Sequence, residues 1–210
     1  MKANEYQQAK KLKKEGKLAE AIAAYEKAIE LNPSFYSYHH ELGEVLAEKG
    51  EWEGAIASYS KAIELNPKSA WSHHNLGEAF AKTGKHGKAI ASYRRAIKFN
   101  PKYAGFYHSL GDEFRKEGKV NKAVNWYSKA VEINPNLSAG YHNLAEIFTK
   151  QGKLEEAATN LGLAIESNPE NAELHKKLGD IRHRQGKLKP ALASYRKAMA
   201  INPVTSDEKE

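Results

Sequence analysis

The dipeptide Asn-Pro recurs every 34 residues along this chain, and this period limits the possible folds more than any other sequence feature. A glycine recurs in phase with it, between successive prolines. The Asn-Pro pairs stand at residues 32–33, 66–67, 100–101, 134–135, 168–169 and 202–203, and the glycines are Gly16, Gly50, Gly84, Gly118, Gly152 and Gly186. A regular period of this length predicts an array of repeated supersecondary units.

Each repeat is predicted to contain two helices separated by its glycine. Apolar residues follow helical spacing on both sides, as at Leu42 and Val45 before Gly50 and at Ala55 and Tyr59 after it. Glycine accepts the left-handed conformation that ends many helices. Proline disfavours helical geometry in the asparagine before it, so each Asn-Pro is expected to close the second helix. The sequence therefore predicts six helical hairpins.

This pattern resembles the tetratricopeptide repeat family. The family's large, small and aromatic positions are occupied in the third repeat by Leu76, Gly77, Phe80, Ala89, Tyr93, Ala96 and Pro101, whereas Leu161 replaces the aromatic residue in the fifth repeat. The resemblance covers residues 2–205 and implies an all-α, right-handed superhelical solenoid of six helix–turn–helix repeats, whose first helices line a concave groove. The expected repeats are 2–35, 36–69, 70–103, 104–137, 138–171 and 172–205, followed by a tail at 206–210.

Composition excludes several kinds of site. The chain has no cysteine, so it carries no disulfide, no thiolate nucleophile and no sulfur-rich zinc site. No segment approaches the roughly 18 apolar residues of a membrane span, and no nucleophile, base and oxyanion-hole arrangement is recognisable. We therefore expect a cytoplasmic protein that is not an enzyme and needs no cofactor or metal. Segments such as WSHHNLGEAF resemble bacterial tetratricopeptide arrays.

The formal net charge of +7 is unevenly distributed. Its positive excess lies mainly in residues 70–103 and 172–205, whereas residues 36–69 and 138–171 are acidic. A nucleic-acid-binding protein more often carries one continuous basic stripe. The pattern favours solvated outer helices, and neither nucleic acid nor a membrane is expected as a partner.

A row of histidines and carboxylates is the main candidate site. In the family the fifth and ninth positions of the first helix line the groove, and here they are occupied by His40 and Glu44, His74 and Glu78, His108 and Asp112, His142 and Glu146, and Lys176 and Asp180. Side chains four residues apart on a helix lie on the same face and interact. Three interpretations remain open: solvated pairs copied with the repeat, a recognition track for a peptide, or metal binding with only two ligands per repeat. Histidines beside carboxylates are also expected to gain charge near neutral pH.

Further residues carry two interpretations each. Trp71, at the groove edge, is either a binding anchor or a packing residue between hairpins. His39, His73 and His175 precede the groove position by one residue, where packing is favoured over binding. Asn75 and Asn143 stand at the sixth position, where the similar superhelix of O-GlcNAc transferase carries asparagines that hold the peptide backbone; the other repeats here lack asparagine at that position.

These features predict a non-catalytic scaffold that binds a peptide or protein segment in the groove. Carboxylates at the ninth position would repel an acidic C-terminal tail, so a neutral or basic segment is expected. The alternative is a substrate-recruiting or dimerising N-terminal arm of a larger glycosyltransferase, methyltransferase or sulfotransferase. The last helix keeps an apolar face at Leu192, Tyr195 and Met199, which predicts either a longer natural chain or end-to-end self-association.

Overall fold

The computed structural model describes the backbone of residues 2–203 and the side chains from Glu5 onward, so the expected tail at 206–210 lies outside the described residues. Within this range the chain forms twelve α-helices and no strand. They are α1 (Lys2–Lys14), α2 (Leu18–Leu31), α3 (Tyr36–Glu48), α4 (Trp52–Leu65), α5 (Ala70–Lys82), α6 (His86–Phe99), α7 (Ala104–Lys116), α8 (Val120–Ile133), α9 (Ser138–Lys150), α10 (Leu154–Ser167), α11 (Ala172–Arg184) and α12 (Leu188–Ile201).

The helices fall into two compact units, α1–α6 and α7–α12. In each unit every odd-numbered helix packs most extensively on the even-numbered helix that follows it, and each pair then packs on the next pair. The predicted all-α fold of six helix–turn–helix repeats is therefore confirmed. None of the described helices combines the length and the apolar character that crossing a bilayer requires.

The turn inside each hairpin depends on its glycine. All six phased glycines have positive φ angles, whereas no described residue other than glycine does. At Gly84, φ is 72° and the amide donates to the carbonyl of Ala81 at 3.2 Å, which closes the end of α5. The predicted left-handed helix ends are confirmed, and a side chain at these positions would be strained.

The second helix of each repeat ends at its asparagine. Asn66, for example, donates its amide to Ala62 at 2.8 Å but has φ −135° and ψ 86°, outside the helical region. Pro67 follows and cannot donate a backbone hydrogen bond. The second helices therefore end at the Asn-Pro pairs, as predicted.

Small residues bring the two helices of a hairpin together. The ring of Tyr59 lies against Gly43, where a β-carbon would be 2.7 Å from the ring atoms. Ala55 and Ala62 on the same second helix are fully buried. Tyr93 and Gly77 repeat this contact in the third hairpin. A tyrosine from the second helix thus passes beneath the first helix and directs its hydroxyl toward the predicted site.

Candidate functional site

The predicted histidine and carboxylate pairs form on the first helices α3, α5, α7 and α9. Their nitrogen to oxygen distances are 3.4 Å for His40–Glu44, 3.9 Å for His74–Glu78, 3.4 Å for His108–Asp112 and 3.4 Å for His142–Glu146. We call these pairs, with Lys176 and Asp180 on α11, the polar ladder. The predicted pairing one helical turn apart is confirmed for all four histidines.

Three ladder histidines also pack on the tyrosine of their own hairpin. Ring centroids are separated by 5.7 Å for His40 and Tyr59, by 5.4 Å for His74 and Tyr93, and by 5.4 Å for His108 and Tyr127. Such contacts bury imidazole surface beneath the helix. These histidines therefore contribute to hairpin packing and are not simply solvated groups.

Glu44 is held by residues of two repeats. Lys13 on α1 donates to it at 2.6 Å, and His40 lies on its other oxygen. Hydrogen bonding from His40 and the charge and hydrogen bond of Lys13 lower the pKa of Glu44 to about 2. The second imidazole nitrogen of His40 lies 3.0 Å from the hydroxyl of buried Ser72 on α5. This part of the ladder joins α1, α3 and α5.

The ladder residues on α5 differ sharply in exposure. His74 is buried, and its imidazole lies 3.3 Å from the amide oxygen of Asn75 and edge-to-face with Trp71. Trp71 is 47% exposed, and the Glu78 side chain is 53% exposed. An exposed indole and an exposed carboxylate therefore flank a buried histidine.

Asp112 on α7 lies in the most extensively bonded part of the ladder. The hydroxyl of Tyr127 donates to it at 2.6 Å and accepts from the guanidinium of Arg115 at 3.2 Å. Asn143 on α9 donates to His108 at 3.0 Å and also contacts Asp112 at 3.4 Å. Since His108 accepts at Nε2, its proton is on Nδ1, facing Asp112.

The next carboxylate, Glu146 on α9, is bound by Lys177 of α11 at 2.7 Å. His142 beside it has a buried Nε2 that lies 3.4 Å from Glu146 but makes no hydrogen bond among the described residues. In the preceding repeat, His108 is bonded by Asn143, the sixth residue of the fifth repeat. The sixth residue of the last repeat is Lys177, which bonds Glu146 and not His142. On α11, Lys176 and Asp180 are exposed, and Tyr195 donates to Asp180 at 2.8 Å.

Burial corrects one expectation about pH. It is the largest cause of the lowered pKa of both His74 and His142, and the positive charge of Lys177 lowers the pKa of His142 further. These two histidines are therefore neutral at pH 7. The sequence-based expectation that they gain charge near neutral pH is wrong for both. A buried imidazole loses more hydration than a carboxylate 3.4 to 3.9 Å away restores.

Three of the five histidines outside the ladder hold a turn. The Nε2 atoms of His39, His73 and His175 each lie 2.8 to 3.0 Å from the carbonyl oxygen of the proline six residues earlier. His39 and His73 are buried, and His73 also stacks on Phe99, which confirms packing for these two. His175 is only partly buried, but it makes the same contact.

Metal binding gains no support from the described residues. Nowhere among them do three or more His, Cys, Asp or Glu side chains converge on one point. Each ladder pair supplies two ligands, and several of its carboxylates already accept from lysine or tyrosine.

Sequence reasoning missed Lys13, Ser72 and Lys177, which reach the ladder from neighbouring repeats. It also missed Tyr127, which reaches Asp112 from the second helix of its own hairpin. Glu41 accepts hydrogen bonds from both Tyr6 and Tyr25. A usable signal existed for Lys177, because Glu41, Asn143 and Lys177 all occupy the sixth position of their repeats. In these three repeats the side chain at the sixth position bonds a residue of the preceding repeat.

Comparisons with known proteins agree with this architecture. Family models described as TPR repeat match residues 9–50, 43–84, 111–152 and 145–186, and models described as tetratricopeptide repeat match residues 70–103 and 172–205. A search of the curated proteins finds no match.

Several solved structures share the fold. YrrB, a TPR protein with an unusual peptide-binding site, is 24% identical, with 86% of this chain and 93% of YrrB covered and a TM-score of 0.67. PilF of Pseudomonas aeruginosa is 18% identical over 97% of this chain and 93% of its own, with a TM-score of 0.81. MamA is 20% identical over 79% and 91%, with a TM-score of 0.70. At these identities the likeness concerns the fold alone.

Proposed function

This chain belongs to the tetratricopeptide repeat family, and on that premise we propose that it is a non-catalytic scaffold that binds a peptide or protein segment along its polar ladder. The six predicted repeats, from 2–35 to 172–205, are the units of this scaffold, and the cytoplasmic location expected from the sequence stays a prediction. Repeat scaffolds present extended surfaces to their partners. YrrB, of the same fold, is a precedent for peptide binding.

One observation carries the proposal: the 47% exposed Trp71 and the exposed carboxylate of Glu78 lie on either side of buried His74. Tryptophan is among the residues that contribute most to binding energy at protein interfaces. Its ring is positioned by the edge-to-face contact with buried His74, so little side-chain freedom is lost on binding. An aromatic side chain and a charged group on the same helix provide an anchor and an orienting contact.

The charges along the ladder support a neutral or basic ligand. Glu44 and Glu146 are bound by lysines, whereas Glu78 and Asp180 remain exposed. A lysine or arginine of the ligand would pair with these two carboxylates, and an acidic tail would be repelled by them.

The test compares the wild-type chain with a Trp71→Ala, Glu78→Ala variant. Partners captured from a native lysate are identified by mass spectrometry, and the affinity of the recovered segment is then measured by calorimetry. We expect the variant to bind at least tenfold more weakly, because truncating a central interface tryptophan commonly costs about 2 kcal/mol or more.

A matched control is Lys61→Ala with Glu64→Ala, which removes an exposed ion pair from α4. This control should bind as the wild type does, since an exposed pair on a second helix contributes little to stability and does not belong to the ladder. Equal affinities for all three proteins would show that the polar ladder is ordinary helix surface.

We further propose that two copies associate end to end through α12. Leu188, Leu192 and Met199 are 63%, 51% and 60% exposed, and with partly buried Tyr195 they share one helix face. Water contact with such a face is unfavourable.

Light scattering at increasing protein concentration should show a dimer for the wild type. A Leu192→Glu, Met199→Glu variant should remain monomeric, whereas Ala193→Glu with Ala200→Glu, about 100° around the helix, should still dimerise. A wild type that stays monomeric at the highest concentration would contradict the proposal.

A further inference from the structure

The fifth repeat departs from the tyrosine pattern, and a cavity lies where the tyrosine is missing. Four repeats pair a glycine of the first helix with a tyrosine of the second, as Gly111 does with Tyr127. The fifth repeat has Ala145 and Leu161 at these two places. Both are buried and belong to the apolar core shared by α9, α10 and α11. Leucine is shorter than tyrosine and cannot reach the ladder as Tyr127 does.

The space left open is a cavity of about 350 Å³. It is lined by buried Ala145, Leu161 and Ile181 and by the more exposed Glu146, Thr149, Lys150, Lys177, Asp180 and Arg184. An apolar cavity of roughly 150 Å³ is enough to hold a benzene ring. The cavity therefore has room for a six-membered ring and a polar substituent. Its buried base is apolar, and five charged side chains surround its mouth.

Glu146 and Lys177, at the mouth of the cavity, occupy two repeat positions whose side chains accept a hydrogen bond from a tyrosine hydroxyl in other repeats. Tyr127 donates to Asp112, the ninth residue of its own repeat, at 2.6 Å. Tyr25 donates to Glu41, the sixth residue of the following repeat, at 2.7 Å. In the fifth repeat these two places are occupied by Glu146 and Lys177, which bind each other at 2.7 Å and both line the cavity. The hydroxyl of a phenol bound in the cavity could thus donate to Glu146, as the hydroxyl of Tyr127 donates to Asp112.

We propose that this cavity binds a tyrosine side chain of the peptide ligand, whose ring takes the place of the tyrosine absent at position 161. The ring contacts Leu161 and Ile181, and the hydroxyl donates to Glu146 while Lys177 remains beside it. The inference rests on the proposed peptide binding, but the cavity itself can be tested without any natural partner. It assigns the side chain that the fifth and sixth repeats recognise.

The chain offers a variant that should close the cavity. Leu161→Tyr restores the ring found in the other repeats. The new ring would pack against Ala145, whereas most other repeats have glycine at that place. The first repeat shows that alanine is compatible with the ring there, because Ala9 and Tyr25 are both fully buried in one core. The control is Thr159→Tyr, which adds the same ring at an exposed position of the same helix.

The probes are p-cresol, toluene and two capped pentapeptides, Gly-Gly-Tyr-Gly-Gly and Gly-Gly-Ala-Gly-Gly, each titrated into isotope-labelled protein and followed by amide chemical shifts. We expect p-cresol and the tyrosine peptide to shift resonances of residues around the cavity, p-cresol to bind several-fold more tightly than toluene, and the alanine peptide to have no effect. Leu161→Tyr should abolish these shifts, and Thr159→Tyr should preserve them. Glu146→Ala, whose cavity remains open, should make p-cresol and toluene bind equally.

Each other outcome overturns the proposal in a distinct way. Binding of p-cresol without the tyrosine peptide would make the cavity a site for small phenols only. Equal binding of p-cresol and toluene to the wild type would remove the role of Glu146. No shift with any probe would reject the cavity as a site, whereas the proposed scaffold function would still be decided by the partner capture with the Trp71→Ala, Glu78→Ala variant.

Discussion

Replacing Tyr127 by alanine should lower the free energy of unfolding of the α7–α12 unit by about 3–5 kcal/mol, the range for truncating a buried aromatic side chain. Tyr127 is fully buried, and its ring lies against Gly111 and beside His108. The substitution also removes the hydroxyl that joins Asp112 to Arg115, so a cavity and a broken network arise together.

Urea denaturation followed by circular dichroism measures this loss. Tyr127→Phe keeps the ring and should cost only about 1.5–3 kcal/mol, the contribution of a hydrogen bond to a charged group. Tyr195→Ala is the matched comparison, since Tyr195 occupies the same place in the last repeat but is partly exposed. Its effect should be clearly smaller. Equal losses for Tyr127→Ala and Tyr195→Ala would mean that burial under the first helix is not what stabilises the hairpin.

Replacing Gly111 by leucine should destabilise the same unit by about 2–3 kcal/mol, the upper part of the range for overpacking a core. A β-carbon at Gly111 would lie 2.7 Å from the ring of Tyr127, which is too close for the ring to remain in place. Alanine alone is a weaker test, because Ala9 and Tyr25 are buried together in the first hairpin. Leucine adds atoms that no small shift of the ring can accommodate.

Gly162 on α10 provides the control of opposite sign. A β-carbon there would contact nothing within 4 Å, so Gly162→Ala should gain about 0.5–1 kcal/mol from helix propensity alone. Thermal unfolding of both variants beside the wild type separates the two effects. A stable Gly111→Leu protein would show that the helices of the hairpin can move apart, contrary to the close packing described above.

Much of the fold was predictable because its determinants are local. The positive φ angles fall at the six phased glycines, and the helices end at the asparagines before proline, as predicted. The ladder pairs were predictable for the same reason: residues four apart on a helix are neighbours whatever surrounds the helix. Period, turn chemistry and helical spacing all operate within one repeat, which a single sequence displays directly.

Glu113 shows where local rules end. It stands at the place occupied by Val45 and Ile147 in other repeats, and it is buried with Lys116 donating to it at 2.6 Å. A glutamate followed three residues later by a lysine is read from sequence as an exposed pair. Its burial depends on packing around α7 that the spacing does not reveal.

By itself, the sequence determined the helices, their turns, their order and the partner of each ladder histidine on its own helix. Only the tertiary structure decided that His74 is buried, that Lys13 and Lys177 reach carboxylates about thirty residues away, and that Leu161 leaves a cavity below Glu146. The reason is physical. Bonds within a helix follow from its fixed geometry, whereas contacts between hairpins depend on how far each side chain extends across the interface and on what volume its neighbours leave open.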